Sequence, residues 1–542
     1  MDTLVIGLDG GEWDVISPLI ADGRLPNLAR LKEQGVSGPL ESTIPPVSPL
    51  AWNSIQTGTN PGKHGVYDFS WFDKDYRRRS INSTDRKATP FWKVMNDHNT
   101  STGLFKIPFT YPPDEVSGYM VTGFPTPSTV DDFATPQSLS EKVGPVEDLF
   151  EDGSLKSEGD LEAFRDNLHD VAEHQTDIFC ELLDEFDTDF GMTVYDGSDR
   201  IQHFFWKYFD KSHPRYIEDG KLDGAIEEYY EIVDRGIGRI MEMVEEDCNI
   251  LVISDHGFGP LTHDIHIDEW LEQEGLLTRQ SPSLDTKSII SALIEAGWKT
   301  VKQADLDRFI KSIIPAYWVD TGQRLKSERR NDVDWEKTDV FFTTLSGQGF
   351  FINMEERFTK GIVIEDQYNT LVDEIKRSLQ SIQHPETGDD LLENVYKKDE
   401  IYEGWAIEDA PDLVAITKPE YTLKGGRSET LLQSSSQKGA ERTGDHRRDG
   451  ILIASGPSFD TGSIENSSVM DIAPTLLYLV EQPVPDNMDG RVLSDLFSAE
   501  IQDKREITKT DKYGISNQAA REWSIEEESE LEEQLDDLGY LG

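Results

Sequence analysis

The chain has 542 residues, with 104 Asp and Glu against 52 Lys and Arg, a formal charge of −52. An acidic excess of that size repels a phosphate backbone and excludes a nucleic-acid-coating surface, while a hydrophobic fraction of 36% with 11 Trp excludes a disordered chain. The acid is spread along the whole length, which points to a surface adapted to high salt, although Lys is not scarce.

The N-terminal MDTLVIGLDGGEWD has no basic segment, and its apolar run is too short for a signal peptide. No run of about 18 apolar residues follows, so no membrane span is expected. Cys180 and Cys248 lie far apart and outside any metal-ligand spacing, which fits buried thiols and a cytoplasmic location. TLVIGLDGG predicts a buried parallel strand that ends at Asp9 in a tight turn, and LPNLARLKEQG an amphipathic helix stopped by Gly35. Ser48 lies in STIPPVSPLAWNSIQTG, before a helix. Residues 130–186 read as mostly helical and acidic. FGMTVYD is the next buried strand, and Asp199 and His203 follow it one helical turn apart. CNILVISDHG is another, ending in Asp255 and His256.

Residues 277–400 hold helix-like KSIISALIEAGWKTVK and YNTLVDEIKRSLQSI, with a strand-like GQGFFIN between them. DLVAITK and GILIASG predict two more strands of the buried parallel kind, the second preceded by His446 in TGDHRRDG. SIEEESELEEQLDDLGYLG closes the chain as an acidic helix that Leu531, Leu535, Leu538 and Leu541 would dock onto the core. No internal repeat is visible. The expected fold is α/β: a doubly wound, mostly parallel central sheet flanked by helices, with helical insertions forming a cap. The core takes segments 1–129, 187–276 and 401–500. Residues 130–186 form a helical insertion, 277–400 an insertion or cap, and 501–542 an acidic C-terminal helix and tail.

Ligands of such sheets bind beyond the carboxyl ends of the strands. Asp9, Ser48, Asp199, His203, Asp255, His256 and His446 all fall there. Singly, each has an ordinary explanation: Asp9 as a turn carboxylate, Asp199 with His203 as an exposed helix ion pair. Jointly, three acids and three histidines in one crevice are costly without a cation among them. Imidazole and carboxylate in this mixture suit a borderline divalent metal such as Zn²⁺.

VIGLDGGEWDVI, PPVSPLAWNSIQTGTNPGKHGVYDF, IPFTYPP, DRIQHFFW, VISDHGFG, APDLVAI, TGDHRRDGILIASG and DIAPTLLYLV occur in this order between residue 4 and about residue 480. Together they resemble the alkaline phosphatase superfamily. Within it they resemble the type I phosphodiesterase / nucleotide pyrophosphatase branch and its prokaryotic phosphohydrolase or phosphomutase relatives. The resemblance implies a doubly wound core and two divalent ions, usually zinc, with manganese as an alternative. Asp9, Ser48, Asp255 and His256 would surround one ion; Asp199, His203 and His446 would surround the other. Ser48 takes the place of the family nucleophile, which is Thr in many relatives, and a phospho-enzyme would form on it. The N-terminus of the following helix would help to hold the phosphoryl oxygens.

Ala51 falls where diesterase relatives use Asn, and Asn53 is offset from that position. His64 reads as packing and turn capping, His263 and His266 as structural or supporting residues. Lys63, Lys106 and Arg200 are candidate phosphate contacts. The expected activity is hydrolysis of a small-molecule phosphoric ester, foremost a diester. A phosphomutase would share the metal layout, but residues 200–215 and 320–330 carry no decisive basic pattern. A sulfatase would need C/S-x-P-x-R, whereas Ser48 is followed by PLAW. A non-catalytic binding protein would show lost ligands, and all seven positions are filled.

Overall fold

In a computed structural model of the protein, the apolar run Thr3–Leu8 forms β1, buried throughout at the middle of a ten-stranded sheet. The structure describes residues 1–538 except 151–154, 156–157, 281–331, 344–347, 436–439 and 517–519. The other strands that matter for the site are β2 (Val36–Glu41), β3 (Thr102–Ile107), β4 (Gly118–Thr122), β5 (Phe190–Tyr195), β6 (Asn249–Ile253), β7 (Gly257–His266), β8 (Gly444–Arg447) and β9 (Asp449–Ser455). Across the central sheet the order is β2-β9-β6-β1-β5-β3-β4, with short strands Gly462–Ser463 and Ala134–Thr135 at the two ends.

β6, β1, β5, β3 and β4 run parallel. Register pairs Leu8 with Tyr195 and Gly7 with Ile253, so three neighbouring strands finish at one level. The tripeptides that follow them therefore share one edge of the sheet. β9, expected to be parallel, runs antiparallel to both β6 and β2. Its apolar run is as continuous as that of β1, and burial on both faces produces such a run whatever the strand direction.

The helices that flank the sheet are α1 (Trp13–Ala21), α2 (Pro26–Gln34), α3 (Ser48–Thr57), α4 (Leu161–Glu185), α5 (Gly197–Phe209) and α6 (Ala225–Met243); α7 (Glu365–Gln380), α8 (Ile472–Leu479) and α9 (Ile525–Leu538) follow. Side chains alternate across β1, which gives the sheet two apolar faces. Leu4, Ile6 and Leu8 join a core with Leu28 of α2, Phe179 of α4, Ile201 of α5 and Ile237 of α6. Val5 joins a second core with Trp52 and Ile55 of α3 and Leu476 of α8. Gly7 makes close contact with α3 possible: a Cβ there would stand 2.7 Å from the Trp52 ring.

A separate antiparallel sheet of Val340–Phe342, Gly349–Ile352, Leu413–Thr417 and Leu392–Lys397 packs with α7 around its own core. The strand expected at DLVAITK thus forms, but in this smaller sheet and antiparallel to its partners. GQGFFIN is a strand and YNTLVDEIKRSLQSI a helix, whereas KSIISALIEAGWKTVK and residues 320–330 lie outside the described residues. α9 docks through Leu531 and Leu535, both buried, and through an ion pair of Glu528 with Arg79 at 3.2 Å. The Leu538 side chain and Leu541 are outside the described residues. Cys180 and Cys248 are free thiols. No helix among the described residues is long and apolar enough to cross a membrane.

Candidate active site

The carboxyl ends of β1, β5 and β6 meet the starts of α3, α5, β7 and β8 in one crevice. Asp9 follows β1, Asp255 and His256 follow β6, and His446 sits on β8, which pairs with β7 opposite Phe258. α5 carries Asp199 in its first turn and His203 one turn later, and every residue from Gly197 to Tyr208 is buried. Phe204, Phe205 and Trp206 fix that helix in the core, and Trp206 stacks on Phe258 at 5.7 Å. A helix pinned this firmly holds the Asp199–His203 spacing rigid. The two side chains are 3.3 Å apart and both are buried, so this is no surface ion pair.

Two groups of ligand atoms form, each within a 4.8 Å span: Asp9, Asp255 and His256, and Asp199, His203 and His446. They adjoin, since His256 Nε2 lies 4.0 Å from Asp199 Oδ1 and the His256 and His446 rings stack at 3.9 Å. Ser48 opens α3 at the edge of the first group, its Oγ 3.4 Å from Asp9 Oδ1 and 3.2 Å from His256 Nε2. The structure therefore brings all seven sequence-singled residues to one place.

Supporting contacts aim the ligands. The Trp52 indole donates to Asp9 Oδ2 at 2.9 Å, and the Gly10 N–H donates to Asp255 Oδ1 at 3.1 Å. Each histidine sets Nδ1 against a backbone carbonyl: His203 on Gly444 at 2.9 Å, His256 on Gly257 at 3.0 Å and His446 on Pro46 at 3.1 Å. A carbonyl only accepts, so Nδ1 carries the hydrogen and each Nε2 lone pair faces the crevice. The Nε2 atoms of His203 and His446 are 3.2 Å apart and repel unless a cation lies between them. Two tetrahedral nitrogen ligands at about 2.0–2.1 Å from one zinc-sized ion stand roughly 3.3–3.4 Å apart. Asp255 Oδ2 is buried and has no hydrogen-bond partner among the described residues. These donors fit divalent metal ions, which the site would hold through the two groups.

The electrostatics agree. Burial, then the charges of Asp255 and Asp199, push Asp9 well above the ordinary carboxylate range. Burial pushes Asp255 up to about 7. Burial, then the charge of His446, brings His256 down to about 4. Asp199 goes the other way: burial would raise it, but His203 and His446 outweigh burial and hold it well below its usual value. Three carboxylates in a dry crevice cannot all ionise without added positive charge.

The remaining expected residues separate. His64 is buried, bonded to Ser54 Oγ at 3.1 Å and to the Val66 N–H, and caps its turn. His263 and His266 lie along β7 and belong to neither ligand group. Lys63 is engaged with the Asn487 carbonyl and Asp489. Lys106 is buried against Asp196 at 2.9 Å, with Arg200 3.8 Å from the same carboxylate. Ala51 is buried, and the Asn53 amide donates to the Pro49 carbonyl at 2.8 Å. The helix N-terminus offers less than expected: Pro49 has no N–H, and the N–H groups of Leu50 and Ala51 donate to the Val47 carbonyl. Two residues escaped the sequence reading. Asp445 pairs with Arg442 at 2.8 Å, and Arg442 lies against His203. An acid directly before His446 was the available signal.

A mostly parallel sheet presenting two Asp/His groups and a serine hydroxyl at its strand ends is a layout suited to metal-assisted hydrolysis. Residues 3–449 match the family described as type I phosphodiesterase / nucleotide pyrophosphatase, and the chain belongs to that family. It is a hydrolase acting on phosphoric ester bonds, and the family is metal-dependent. Among solved structures, human ectonucleotide pyrophosphatase / phosphodiesterase 5 is similar at 14% identity, covering 92% of this chain and 100% of that one, with a TM-score of 0.51. Phosphonoacetate hydrolase from Sinorhizobium meliloti, in complex with phosphonoformate, is similar at 14% identity over 89% of this chain and 95% of that one, with a TM-score of 0.51. An inactive threonine-to-alanine form of the murine phosphodiesterase 5, in complex with AMP, gives 14% identity, coverage of 92% and 100%, and a TM-score of 0.50. These likenesses establish the shared fold. No curated protein matches in sequence.

Proposed function

We propose that the protein is a phosphodiesterase of nucleotide-pyrophosphatase type that transfers the phosphoryl group of a small-molecule ester to Ser48 and then to water. The observation that carries this reading is the place of Ser48 Oγ, 3.2–3.4 Å from ligand atoms of the first group, which itself adjoins the second through His256. Two divalent ions, zinc foremost on this donor set, would lower the hydroxyl pKa and neutralise charge on the attacking and leaving oxygens. Asp9, Asp255 and His256 with Ser48 would hold one ion, and Asp199, His203 and His446 the other.

In the first step the Ser48 hydroxyl gives up its proton, the Oγ–phosphorus bond forms, the bond to the leaving oxygen breaks, and that oxygen takes a proton to leave as the alcohol. In the second, water attacks the phosphorus of the serine-linked ester, the Oγ–phosphorus bond breaks, a proton from that water restores the serine hydroxyl, and the phosphate monoester leaves. Trp52 keeps Asp9 turned toward Ser48, and the three carbonyl-anchored histidines keep their Nε2 atoms turned inward. A helix start fixes Ser48 more tightly than a loop would, which favours an in-line approach.

Parallel assays of nitrophenyl mono- and diesters and of nitrophenyl sulfate, with zinc or manganese added, test the reading for the wild type and Ser48→Ala. A preference for diester over monoester that is lost with Ser48→Ala is the expected result. Turnover unchanged by Ser48→Ala, or confined to the sulfate, overturns it.

A further inference from the structure

Transfer to Ser48 leaves the non-bridging phosphoryl oxygens in need of donors, and α3 has few to give. Among its first residues only the Ser48 N–H is not spent within the helix. Ala51 contributes a methyl group, the Trp52 indole is used by Asp9, and the Asn53 amide is used by the Pro49 carbonyl. A cation in contact with the ligand groups comes from elsewhere. Ser48 touches His256, His256 stacks on His446, His446 touches His203, and Arg442 lies against His203.

Arg442 places Nη2 3.2 Å from His203 Nε2 and Nε 3.1 Å from His203 Nδ1. Since His203 Nδ1–H already points at the Gly444 carbonyl, the Nε contact is a guanidinium packed on an imidazole rather than a hydrogen bond. Nη2 also meets Asp445 Oδ1 at 2.8 Å, which fixes the fork. Among the described residues, Nη1 has no partner. The strip carrying Arg442 is clamped: the Thr443 N–H donates to the His203 carbonyl at 2.8 Å, and Arg215 donates to the Arg442 carbonyl at 3.1 Å. The guanidinium is thus held in one geometry with Nη1 unspent, and its side chain is 15% exposed, so a ligand can reach it.

We infer that Arg442 is a substrate-recognition residue: its free Nη1 donates to a non-bridging oxygen of the phosphoryl group, on the side of the Asp199, His203 and His446 group. The inference rests on the reading of Ser48 and its two ligand groups as the phosphoryl-transfer site. An arginine suits this task because it stays charged and, with Nε and Nη2 held by His203 and Asp445, Nη1 is left in a fixed position with N–H groups to donate.

Orthophosphate affinity of the metal-loaded protein, measured by titration calorimetry with metal content determined in parallel, tests the inference. Arg442→Ala is expected to weaken orthophosphate about ten- to a hundredfold, the usual loss for a charge-assisted hydrogen bond, with metal content unchanged. Arg442→Lys, which keeps the charge without the fork, is expected to recover part of that loss. It also carries the comparison should the alanine variant fail to fold, with a loss smaller than about threefold then counting against the inference. Unchanged phosphate affinity in Arg442→Ala overturns it, and so does metal loss in step with phosphate loss, which would make Arg442 a support of the metal groups. Ser48→Ala assayed alongside separates the two readings: full activity there sinks the Ser48 assignment, while phosphate affinity still judges Arg442.

Discussion

Gly444→Ala is expected to damage one ligand group and spare the other. A Cβ at residue 444 would stand 2.4 Å from the Gln202 carbonyl oxygen and 2.7 Å from Phe258 Cε1. Ordinary contact begins near 3.4 Å, so β8 must retreat by about 1 Å, because Gln202 lies inside the buried α5 and cannot yield. That retreat opens the 2.9 Å contact of His203 Nδ1 with the Gly444 carbonyl to roughly 3.9 Å, past hydrogen-bonding range. It also carries His446, two residues further along the same strand. Overpacking of this kind costs about 1–3 kcal/mol, and loss of the bond that orients a metal-binding histidine costs about ten- to a hundredfold in metal affinity. Urea unfolding of the metal-stripped protein reads the first quantity, and calorimetric titration with Zn²⁺ reads the second. The expected titration shows one site as in the wild type and one weakened. Gly220→Ala, where a Cβ meets nothing within 4 Å, serves as the neutral control. Two wild-type affinities together with stability within about 0.5 kcal/mol of the wild type would falsify the packing argument.

Lys106→Met leaves the nearly buried Asp196 with Arg200, at 3.8 Å, as its cationic neighbour among the described residues, and is expected to cost up to about 3–5 kcal/mol in urea unfolding; adding Asp196→Asn should restore part of it, and a single-variant cost below about 1 kcal/mol would contradict a structural ion pair. Burial, then the Arg86 charge, brings His64 down to about 3, so between pH 6.5 and 3 the unfolded chain binds a proton that the folded chain does not. Stability is then lost as pH falls through that window, by about 1.4 kcal/mol per unit from this group. The stability gap between the wild type and His64→Gln should narrow accordingly, and a constant gap refutes the buried neutral state. Leu531→Ala removes a fully buried anchor of α9 worth about 2–5 kcal/mol. Hydrogen exchange over 525–535 should quicken before the central sheet is affected; exchange as slow as in the wild type would show that the anchor does not hold the helix.

The sheet was readable where burial on both faces leaves an unbroken apolar run, as in β1, β5 and β6. β3 was missed because Lys106 interrupts its run, and that lysine is buried only because Asp196 reaches it from the next strand. Strand direction was not readable for β9, nor sheet membership for Leu413–Thr417, since both depend on partners distant in the chain. At the site, Asp199 and His203 were legible from helical spacing, and Asp255 with His256 from a polar pair closing an apolar strand. His446 was placed by resemblance alone. Asp445 was marked only by standing directly before His446, and Arg442 had no local signature, because its role arises from contacts with a helix more than two hundred residues earlier.

The Nδ1 anchors of the three histidines come from Pro46, Gly257 and Gly444, and the ligands run from Asp9 to His446. During synthesis the Asp9, Asp255 and His256 group has all its members once β7 has emerged. The Asp199 and His203 pair must wait for β8. A nascent or truncated chain ending before residue 444 therefore carries the complete ligand set of the first group alone. His446 is also oriented by Pro46, so the last ligand to be made is aimed by one of the earliest stretches of chain. Completion of the centre consequently reports that the two ends of the core have met, and a half-made chain lacks the pair of ligand groups that the proposed hydrolysis requires.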